Sequence, residues 1–363
     1  MKYSNQFLPN YTVGEESYKA VSAITGRYGK KAVVIGGKTA ILKSKDVLLE
    51  GIKNSEVRII DFVWYGGNSS YENVDILINN ENVKNADMIY AVGGGRAIDT
   101  CKVVSDKLNK PLFSFPTIAS NCAACTCISV IYNTDDTFRE YYYPKTPADH
   151  TFINTKIIAE APVSLLFAGI GDALSKEYEV LLAARKENLS HSPLMGANLS
   201  KACGLPLIEY GKKALDSCKN NMVTFELEQV ALDIIISTGI VSNMTSKKGE
   251  YYYNSSLAHC VYYGATMVPK AASHLHGEIV AFGVLCLLTY DEQFEERKKI
   301  AEFNKSVGLP LCLDDINITK NDVKVMAQKA STVTEWTCAP YEITKEKFVK
   351  AILDTDDYGK SLK

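Results

Sequence analysis

The first half of the chain alternates short apolar runs with amphipathic segments of helical length. Four apolar runs rich in Val, Ile, Phe and Tyr have the length of buried strands: KAVVIGG, VRIIDFVWYGG, MIYAVGGG and PLFSFPT. Continuous apolar runs that alternate with helical segments are typical of the strands of a parallel sheet. The pattern therefore predicts an α/β domain with a parallel sheet.

From about Ala161 onward the strand-like runs nearly vanish and helical spacing takes over. The segment FELEQVALDIIISTGIV, for example, places Leu227, Val230 and Ile234 on one helical face. This predicts an all-helical second domain, with boundaries at 1–160 and 161–363 that rest on periodicity alone. A cleft between two such domains is the expected ligand site. The last residues, DTDDYGKSLK, read as a frayed polar tail.

Composition narrows the class of protein. The 363 residues suffice for two domains, and hydrophobic residues make up 46% against 23% charged residues, as in globular proteins. A net charge of -2 without a basic stripe argues against a nucleic-acid partner. The N-terminus has no signal-peptide core, and the longest apolar run, near 279–289, is too short to cross a bilayer. We therefore expect no membrane partner, a cytoplasmic location, and ten cysteines that are free thiols.

A run of three glycines, Gly93 to Gly95, joins the apolar strand MIYAV to a segment of helical character. Such a turn lets backbone N–H groups approach a diphosphate, and the helix dipole adds attraction. A tight turn without a ligand explains the glycines equally well. The strict GxGxxG fingerprint is absent, because Ile98 takes the last glycine position. The motif FPTIAS, with the hydroxyls of Thr117 and Ser120, is a second candidate for holding phosphate.

None of the five histidines falls in a compact metal-binding motif. Three polar residues each have an ordinary structural explanation when taken alone. Asp172 follows a glycine and reads as a helix N-cap. His259 reads as a core histidine beside aromatic residues, and His276 as a residue at a helix start.

The whole set of motifs resembles the glycerol dehydrogenase branch of the iron-containing alcohol dehydrogenase superfamily, which is related more distantly to dehydroquinate synthase. The matching segments occur in the family's order and approximate spacing over residues 30–290: AVGGGRAIDTCK, FPTIAS, SVIY, INTKIIAEAPV, GIGDAL, AHCVYYG and HGEIVAFG. The resemblance implies a dinucleotide-binding α/β domain followed by a helical, metal-binding catalytic domain. It also implies a homo-oligomeric NAD(P)-linked dehydrogenase, which interconverts a small alcohol and its carbonyl by hydride transfer.

The family's metal ligands fall on Asp172, His259 and His276. A carboxylate and two imidazoles suit zinc, and three protein ligands leave one position open for water or a substrate oxygen. The family's iron enzymes add a histidine one turn after the aspartate, where this chain has Lys176. The departure favours zinc over iron. His274 is a candidate proton relay, although a surface histidine is the favoured interpretation.

The family's dinucleotide contacts fall on the glycine loop and on the segments that follow the next strand. They are Gly94, Gly95, Arg96, Ala97, Thr117, Ser120, Thr126, Ile128 and Tyr132. Glycerol dehydrogenases tend to carry an acidic residue after the first strand to hold the adenosine ribose, where this chain has Gly37 and then Lys38. Without that carboxylate a 2′-phosphate is not repelled, so the sequence leaves NADP open beside NAD.

A second departure concerns the substrate. The family's glycerol-binding aspartate aligns with Cys122 in SNCAACTC, and a thiol does not accept hydrogen bonds from a polyol as a carboxylate does. The hypothesis is that the preferred substrate is an alcohol or carbonyl compound other than glycerol.

Two alternatives stay open at this point. Cys122, Cys125 and Cys127 together suggest a thiol-based redox or metal-binding protein without catalytic activity. The same fold also carries polyol-phosphate dehydrogenase or dehydroquinate synthase-like lyase chemistry. A phosphorylated substrate needs cations at the site, for which Arg139, Lys145 and Lys270 are the options.

Overall fold

The computed structural model describes residues 5–363, which divide into two compact units. One unit contains the chain up to Val163 together with residues 216–243. The other contains residues 164–215 and 244–363. The sequence placed 216–243 in the second domain, because helical spacing shows that a segment has an apolar face but not which domain covers that face.

The first unit is built on a six-stranded sheet in which all neighbouring strands are parallel, in the order β1-β8-β5-β4-β2-β3. The strands β6 and β7 form a separate antiparallel pair. The α/β fold with a parallel sheet is thus confirmed. The strands are β1 Tyr11–Val13, β2 Lys31–Gly36, β3 Arg58–Trp64, β4 Met88–Gly93, β5 Leu112–Pro116, β6 Ser129–Tyr132, β7 Phe138–Tyr142 and β8 His150–Ile153, with the short pair β9 Ser246–Lys247 and β10 Tyr251–Tyr252 in the second unit.

The α-helices account for most of the remaining chain. In chain order they are α1 Val21–Thr25, α2 Lys38–Gly51, α3 Tyr71–Asn79, α4 Glu81–Asn85, α5 Gly95–Leu108, α6 Thr155–Ala159, α7 Val163–Ala183, α8 His191–Ser200, α9 Leu205–Lys219, α10 Phe225–Leu232, α11 Thr238–Thr245, α12 Leu257–Ala265, α13 His276–Tyr290, α14 Phe294–Val307, α15 Val323–Ala330 and α16 Lys345–Ser361.

The strand order creates a switch point between β2 and β4. These neighbours continue to opposite sides of the sheet, β2 to β3 and β4 to β5. In open α/β sheets, ligands bind in the crevice outside the carboxyl ends of the strands at such a point. Gly36 pairs with Val92, and Gly93 pairs with Pro116, so the glycine turns after β2 and β4 lie at the same edge of the sheet.

An aromatic cluster forms the core on one face of this sheet. The ring of Phe115 stacks on Phe152 at 5.0 Å and meets Tyr18 edge-on at 5.2 Å. Tyr90 also lies 5.0 Å from Phe115, and its hydroxyl hydrogen-bonds with Thr25 at 2.6 Å. Close-packed rings from several strands fix the strands rigidly, which a binding site at the strand ends requires.

The second unit is organised around α13. Every residue of this helix from Ile279 to Tyr290 is buried, and the helix packs against α12, α14 and α16. Among the described residues, we find no helix with the length and hydropathy needed to span a bilayer. The polar C-terminal tail was predicted wrongly. It is the end of α16, where the buried Asp356 accepts a hydrogen bond from Leu313 N and pairs with Lys360.

One buried acid in the first unit predicts a pH-dependent stability. Asp233 opens a five-residue π turn between α10 and α11 and is 1% exposed. Burial raises the pKa of its carboxyl to about 8, although the Ser237 hydroxyl lowers it in part. The folded chain therefore keeps a proton on Asp233 that the unfolded chain loses near pH 4. The free energy of unfolding consequently falls between about pH 4 and pH 8, by up to about 1.4 kcal/mol per pH unit.

Asp233→Asn, which mimics the protonated acid, is expected to remove this loss. The measurement is the thermal unfolding midpoint at pH 5, 6.5 and 8 for both proteins. Parallel pH profiles for wild type and variant would show that Asp233 is not the group responsible.

Candidate functional site

Three side chains of the second unit converge at one point. Asp172 Oδ1 lies 3.1 Å from His276 Nε2 and 3.7 Å from His259 Nε2. The three ligand atoms lie within 4.8 Å of one another, and no other group of His, Cys, Asp and Glu in residues 5–363 has such geometry. Two ligands at tetrahedral positions around zinc are about 3.4 Å apart. The carboxylate and imidazole geometry therefore fits a divalent ion with small adjustments.

Close helix crossings at glycines bring these side chains together. A Cβ on Gly277 would lie 1.8 Å from Ala168 O, and one on Gly171 would lie 2.3 Å from Gly277 O. Only glycine allows α7 and α13 to approach this closely. Because Asp172 follows Gly171 and His276 precedes Gly277, the crossing places the two ligands against each other.

A second crossing positions the third ligand. A Cβ on Gly283 of α13 would lie 2.4 Å from Ala258 O of α12, so these two helices are also in backbone contact. His259 is the residue after Ala258, and its ring centroid lies 5.3 Å from that of His276. The helix α13 thus supplies both contact points that assemble the site.

The alternative explanation of Asp172 as a helix N-cap is wrong. Asp172 lies in the interior of α7, nine residues after its start at Val163. Gly171, directly before it, does not interrupt the helix but allows α7 to contact α13. Asp172 is therefore held on a rigid helix, with its carboxylate directed at two imidazoles.

A buried carboxylate that the sequence reasoning missed completes the site. Glu179 is fully buried, and its Oε2 lies 2.6 Å from His259 Nδ1. Its other oxygen accepts the backbone N–H groups of Ser256 and His259 at 2.8 and 2.9 Å, at the start of α12. The signal was available, because Glu179 follows Asp172 by seven residues and so lies on the same face of α7. Glu179 holds the proton on Nδ1 and leaves Nε2 to face Asp172, as a metal ligand requires.

Charge in this cluster is balanced by protons when no ion is bound. Burial lowers the pKa of His259, but Glu179 and then Asp172 outweigh it and raise that pKa to about 9. Burial raises the pKa of Asp172, but the imidazole of His276 outweighs it, so the carboxylate ionises below its usual range. A divalent ion would replace the proton between His259 and Asp172.

Glu179→Gln is expected to weaken metal binding by 10- to 100-fold while the chain stays folded. The Gln amide favours the His259 tautomer with its proton on Nε2, which does not bind a metal, and outer carboxylates typically contribute affinities of this size. Zinc titration against a competing chelator measures the effect.

Glu278→Gln is the matched control for that variant. Glu278 also accepts an N–H at a helix start, from Leu275 at 3.2 Å, and pairs with a histidine, His274 at 2.9 Å. This histidine is not in the convergent set, so zinc affinity should change by less than threefold. Equal losses in both variants would contradict a specific role for Glu179.

Lys176 and His274, which the sequence analysis singled out beside the ligands, have partners of their own. Lys176, where the iron enzymes carry a histidine, is buried and donates to Asn254 Oδ1 at 2.7 Å. Its charge contributes to the low pKa of Asp172. His274 pairs on both ring nitrogens, with Glu278 at 2.9 Å and Asn317 at 3.0 Å.

The candidate dinucleotide site lies in the first unit at the sheet's switch point. Gly93 has φ of +147°, which favours glycine, and Gly94 is the N-cap of α5 without a side-chain cap. Added Cβ atoms on Gly94 and Gly95 would lie 2.7 Å from Ile118 and Asn121. The backbone of the turn therefore needs Gly93, whereas the contacts at Gly94 and Gly95 are with side-chain ends that can move. The uncapped start of α5 also suits a diphosphate.

Several other predicted dinucleotide contacts lie on segments that leave this edge of the sheet. Gly37 is the N-cap of α2, Ala97 lies in the first turn of α5, and Thr117 N donates to Gly93 O at 3.2 Å. The Arg96 guanidinium lies 4.6 Å from the ring of Tyr132 on β6. Ser120, Thr126 and Ile128 lie on the chain between β5 and β6.

The residue after Gly37 bears on the choice of dinucleotide. Lys38 begins α2 at the carboxyl end of β2, and its Nζ lies 4.6 Å from the ring centroid of Trp64. A cation at this place would attract a phosphate rather than repel it.

Cys122, Cys125 and Cys127 do not form a group with metal-ligand geometry. Cys125 Sγ faces Ile235 O at 2.9 Å, Cys127 Sγ faces Pro144 O at 3.0 Å, and Cys122 Sγ lies 3.8 Å from Ser242 Oγ. All ten cysteines are free, and burial raises the pKa of Cys127 to about 11 and that of Cys125 still further. Thiols of high pKa react slowly, so Cys125 and Cys127 are poorly suited to a redox role.

The cations proposed for a phosphorylated substrate are divided between the two units. Arg139 and Lys145 belong to the first unit and Lys270 to the second. The Arg139 guanidinium lies over the ring of Tyr71 at 4.8 Å.

Comparison with known proteins identifies the family. The family model for iron-containing alcohol dehydrogenase matches residues 9–155. The chain is 30% identical to a glycerol dehydrogenase of Thermotoga maritima, with 98% of each chain covered. It is 27% identical to a glycolaldehyde reductase of Halobacterium salinarum, over 90% of this chain and 92% of the relative. The crystal structure of a probable glycerol dehydrogenase from Sinorhizobium meliloti 1021 superposes with a TM-score of 0.85 at 25% identity, covering 99% of this chain and 100% of that one.

The chain therefore belongs to the iron-containing alcohol dehydrogenase family, in its glycerol dehydrogenase branch, and is an NAD(P)-dependent alcohol oxidoreductase. The resemblance drawn from the sequence motifs is confirmed.

Proposed function

We propose that this protein is a zinc-dependent dehydrogenase that interconverts a small alcohol other than glycerol and its carbonyl compound. The observation that carries the proposal is the convergence of Asp172, His259 and His276, backed by the buried Glu179. In the oxidative direction, the carbinol carbon gives a hydride to NAD(P)⁺ and the hydroxyl loses a proton.

The ligand set supports zinc. Two imidazole nitrogens and one carboxylate oxygen suit zinc, and Lys176 takes the place of the family's additional histidine. When bound, the ion supplies Lewis-acid chemistry for an alcohol or carbonyl oxygen.

The chain's own residues prepare this chemistry. Glu179 fixes the His259 ring and its tautomer, and the crossings of α13 with α7 and α12 hold the ligands on rigid helices. In the first unit, the uncapped start of α5 attracts the diphosphate of the dinucleotide. Lys38 supports NADP as an alternative to NAD. Homo-oligomerisation and a cytoplasmic location stay predictions.

The experiment removes metal with a chelator, restores zinc or iron, and follows reduced nicotinamide by absorbance with NAD and with NADP. Zinc is expected to restore more activity than iron on a panel of alcohols and carbonyl compounds. Activity that is the same with and without metal would reject the proposal.

The substrate proposal rests on Cys122. This residue takes the place of the aspartate that binds glycerol in the family, and a thiol is a poor acceptor for polyol hydroxyls. We expect kcat/KM for glycerol to be at least tenfold below that for simple diols or for the best aldehyde. A relative named glycolaldehyde reductase shows that this branch includes enzymes named for another substrate.

Cys122→Asp is expected to raise kcat/KM for glycerol relative to simple diols, because it restores a hydrogen-bond acceptor. Cys122→Ser, which has nearly the same size but no charge, is the control and should change the ratio little. A wild-type protein that clearly prefers glycerol would contradict the substrate proposal.

A further inference from the structure

A buried ion pair on α5, the helix that follows the glycine loop, binds the chain segment 126–130. Lys102 and Asp99 lie on α5, one turn apart, with Nζ and Oδ1 separated by 2.7 Å. Their side chains are only 1% and 7% exposed. A buried pair needs further hydrogen bonds to offset the loss of hydration, and both partners have them.

The further hydrogen bonds all reach one segment, residues 126–130. Lys102 Nζ donates to Thr126 O at 3.2 Å, to Thr126 Oγ1 at 3.3 Å and to Ile128 O. Asp99 Oδ2 accepts from Val130 N at 3.1 Å. Thr126 and Ile128 precede β6 on irregular backbone, and Val130 is the second residue of that strand. The two side chains therefore bind backbone groups on both sides of the start of β6.

Arg96 extends the same line of contacts. Arg96, Asp99 and Lys102 are spaced by three residues and so lie along one face of α5. The Arg96 guanidinium lies over the ring of Tyr132, two residues after the segment 126–130. One face of α5 therefore holds the chain from Thr126 to Tyr132, while the N-terminus of the same helix forms the glycine loop.

We infer that Lys102 and Asp99 are positioning residues for the dinucleotide: they set the place of residues 126–130 relative to the glycine loop before the cofactor binds. The inference rests on the proposed cofactor role of Thr126, Ile128 and Tyr132. Neither Lys102 nor Asp99 needs to touch the dinucleotide. Their effect is preorganisation, which strengthens binding because less ordering accompanies it.

The test uses Lys102→Met and the double variant Asp99→Asn/Lys102→Met. The single variant leaves a buried carboxylate without its cation and is expected to lose stability. The double variant removes both charges, which restores much of the stability when a buried pair is replaced. It still lacks the ammonium that binds Thr126 and Ile128.

Two readouts separate positioning from general stability. Hydrogen exchange in the cofactor-free protein should be at least tenfold faster for amides 126–130 in the double variant, with unchanged exchange in α13. The dissociation constant for NADH or NADPH, measured by nicotinamide fluorescence, should rise at least tenfold, while zinc content stays at the wild-type level.

Asp356→Asn is the matched control. Asp356 is also a fully buried carboxylate paired with a lysine, Lys360 at 3.1 Å, and it accepts a backbone N–H from Leu313. This variant should lower the thermal midpoint without changing dinucleotide affinity.

The outcomes separate the two proposals. Exchange and dinucleotide affinity within twofold of wild type in the folded double variant would overturn the positioning role. A wild-type protein that binds neither NADH nor NADPH would reject the proposed function instead. The exchange measurement contains no cofactor, so even then it would test whether Lys102 and Asp99 hold residues 126–130 in place.

Discussion

His259→Ala and His276→Ala are each expected to abolish stoichiometric zinc binding and to reduce kcat/KM by at least 1000-fold. Each variant removes one of three protein ligands, and the two that remain cannot hold the ion at the geometry zinc prefers. The fold of His276→Ala should persist, because that side chain is 41% exposed. His259→Ala also leaves the buried Glu179 without its imidazole partner, so its unfolding midpoint should fall as well.

Metal analysis, steady-state kinetics and thermal unfolding together check this expectation. His274→Ala is the control, since His274 is two residues from His276 but pairs with Glu278 and Asn317. It should retain zinc. Full zinc content in His259→Ala or His276→Ala would contradict the ligand assignment.

Gly277→Ala is expected to lower zinc affinity at least 100-fold although it alters no ligand. The added methyl group would lie 1.8 Å from Ala168 O and 2.9 Å from Asp172 N, both backbone atoms. The helices α7 and α13 would have to separate, which moves His276 away from Asp172. Overpacking of this kind typically costs about 1–3 kcal/mol of stability, so the unfolding midpoint should also fall.

Gly211→Ala provides the comparison for that variant. Gly211 also lies in a helix of the second unit, but its added methyl group would meet side chains rather than backbone, the ring of Phe303 at 3.3 Å and Ile170 Cδ1 at 3.7 Å. Zinc affinity should stay within threefold of wild type. Normal zinc affinity in Gly277→Ala would show that the glycine crossing does not position the ligands.

Much of the first unit could be predicted from the sequence alone. The strands β2, β3, β4 and β5 fall on the four apolar runs. Buried parallel strands such as β2, β4 and β5 have few polar positions, and the partly exposed edge strand β3 is still mostly apolar. The helix after the glycine loop was also predicted, as α5. Local patterns were sufficient here, since each strand and helix is specified by its own residues.

The grouping of separate segments could not be predicted in the same way. The segment 216–243 is helical as expected, but its place with the first unit depends on which surface covers its apolar face. The end of α16 looks polar in sequence, yet Thr355 and Asp356 are buried and hydrogen-bonded. Polar residues with buried partners cannot be told from solvated ones by composition.

The metal centre shows the same limit. The ligand types came from the family resemblance, since Asp172, His259 and His276 are 104 residues apart at the extremes and share no local motif. The glycine before Asp172 suggested a helix start, whereas it allows a helix crossing. Glu179 was missed because its role depends on α12, which is far away in sequence.

X-ray absorption spectroscopy at the zinc edge of the reconstituted protein tests the central claim most directly. We expect one ion per chain, bound by two imidazole nitrogens and one carboxylate oxygen at about 2.0–2.2 Å, with no sulfur ligand. The spectrum should lose one imidazole in His276→Ala if any residual ion is bound. A sulfur shell at about 2.3 Å, or an unchanged spectrum in that variant, would contradict the account.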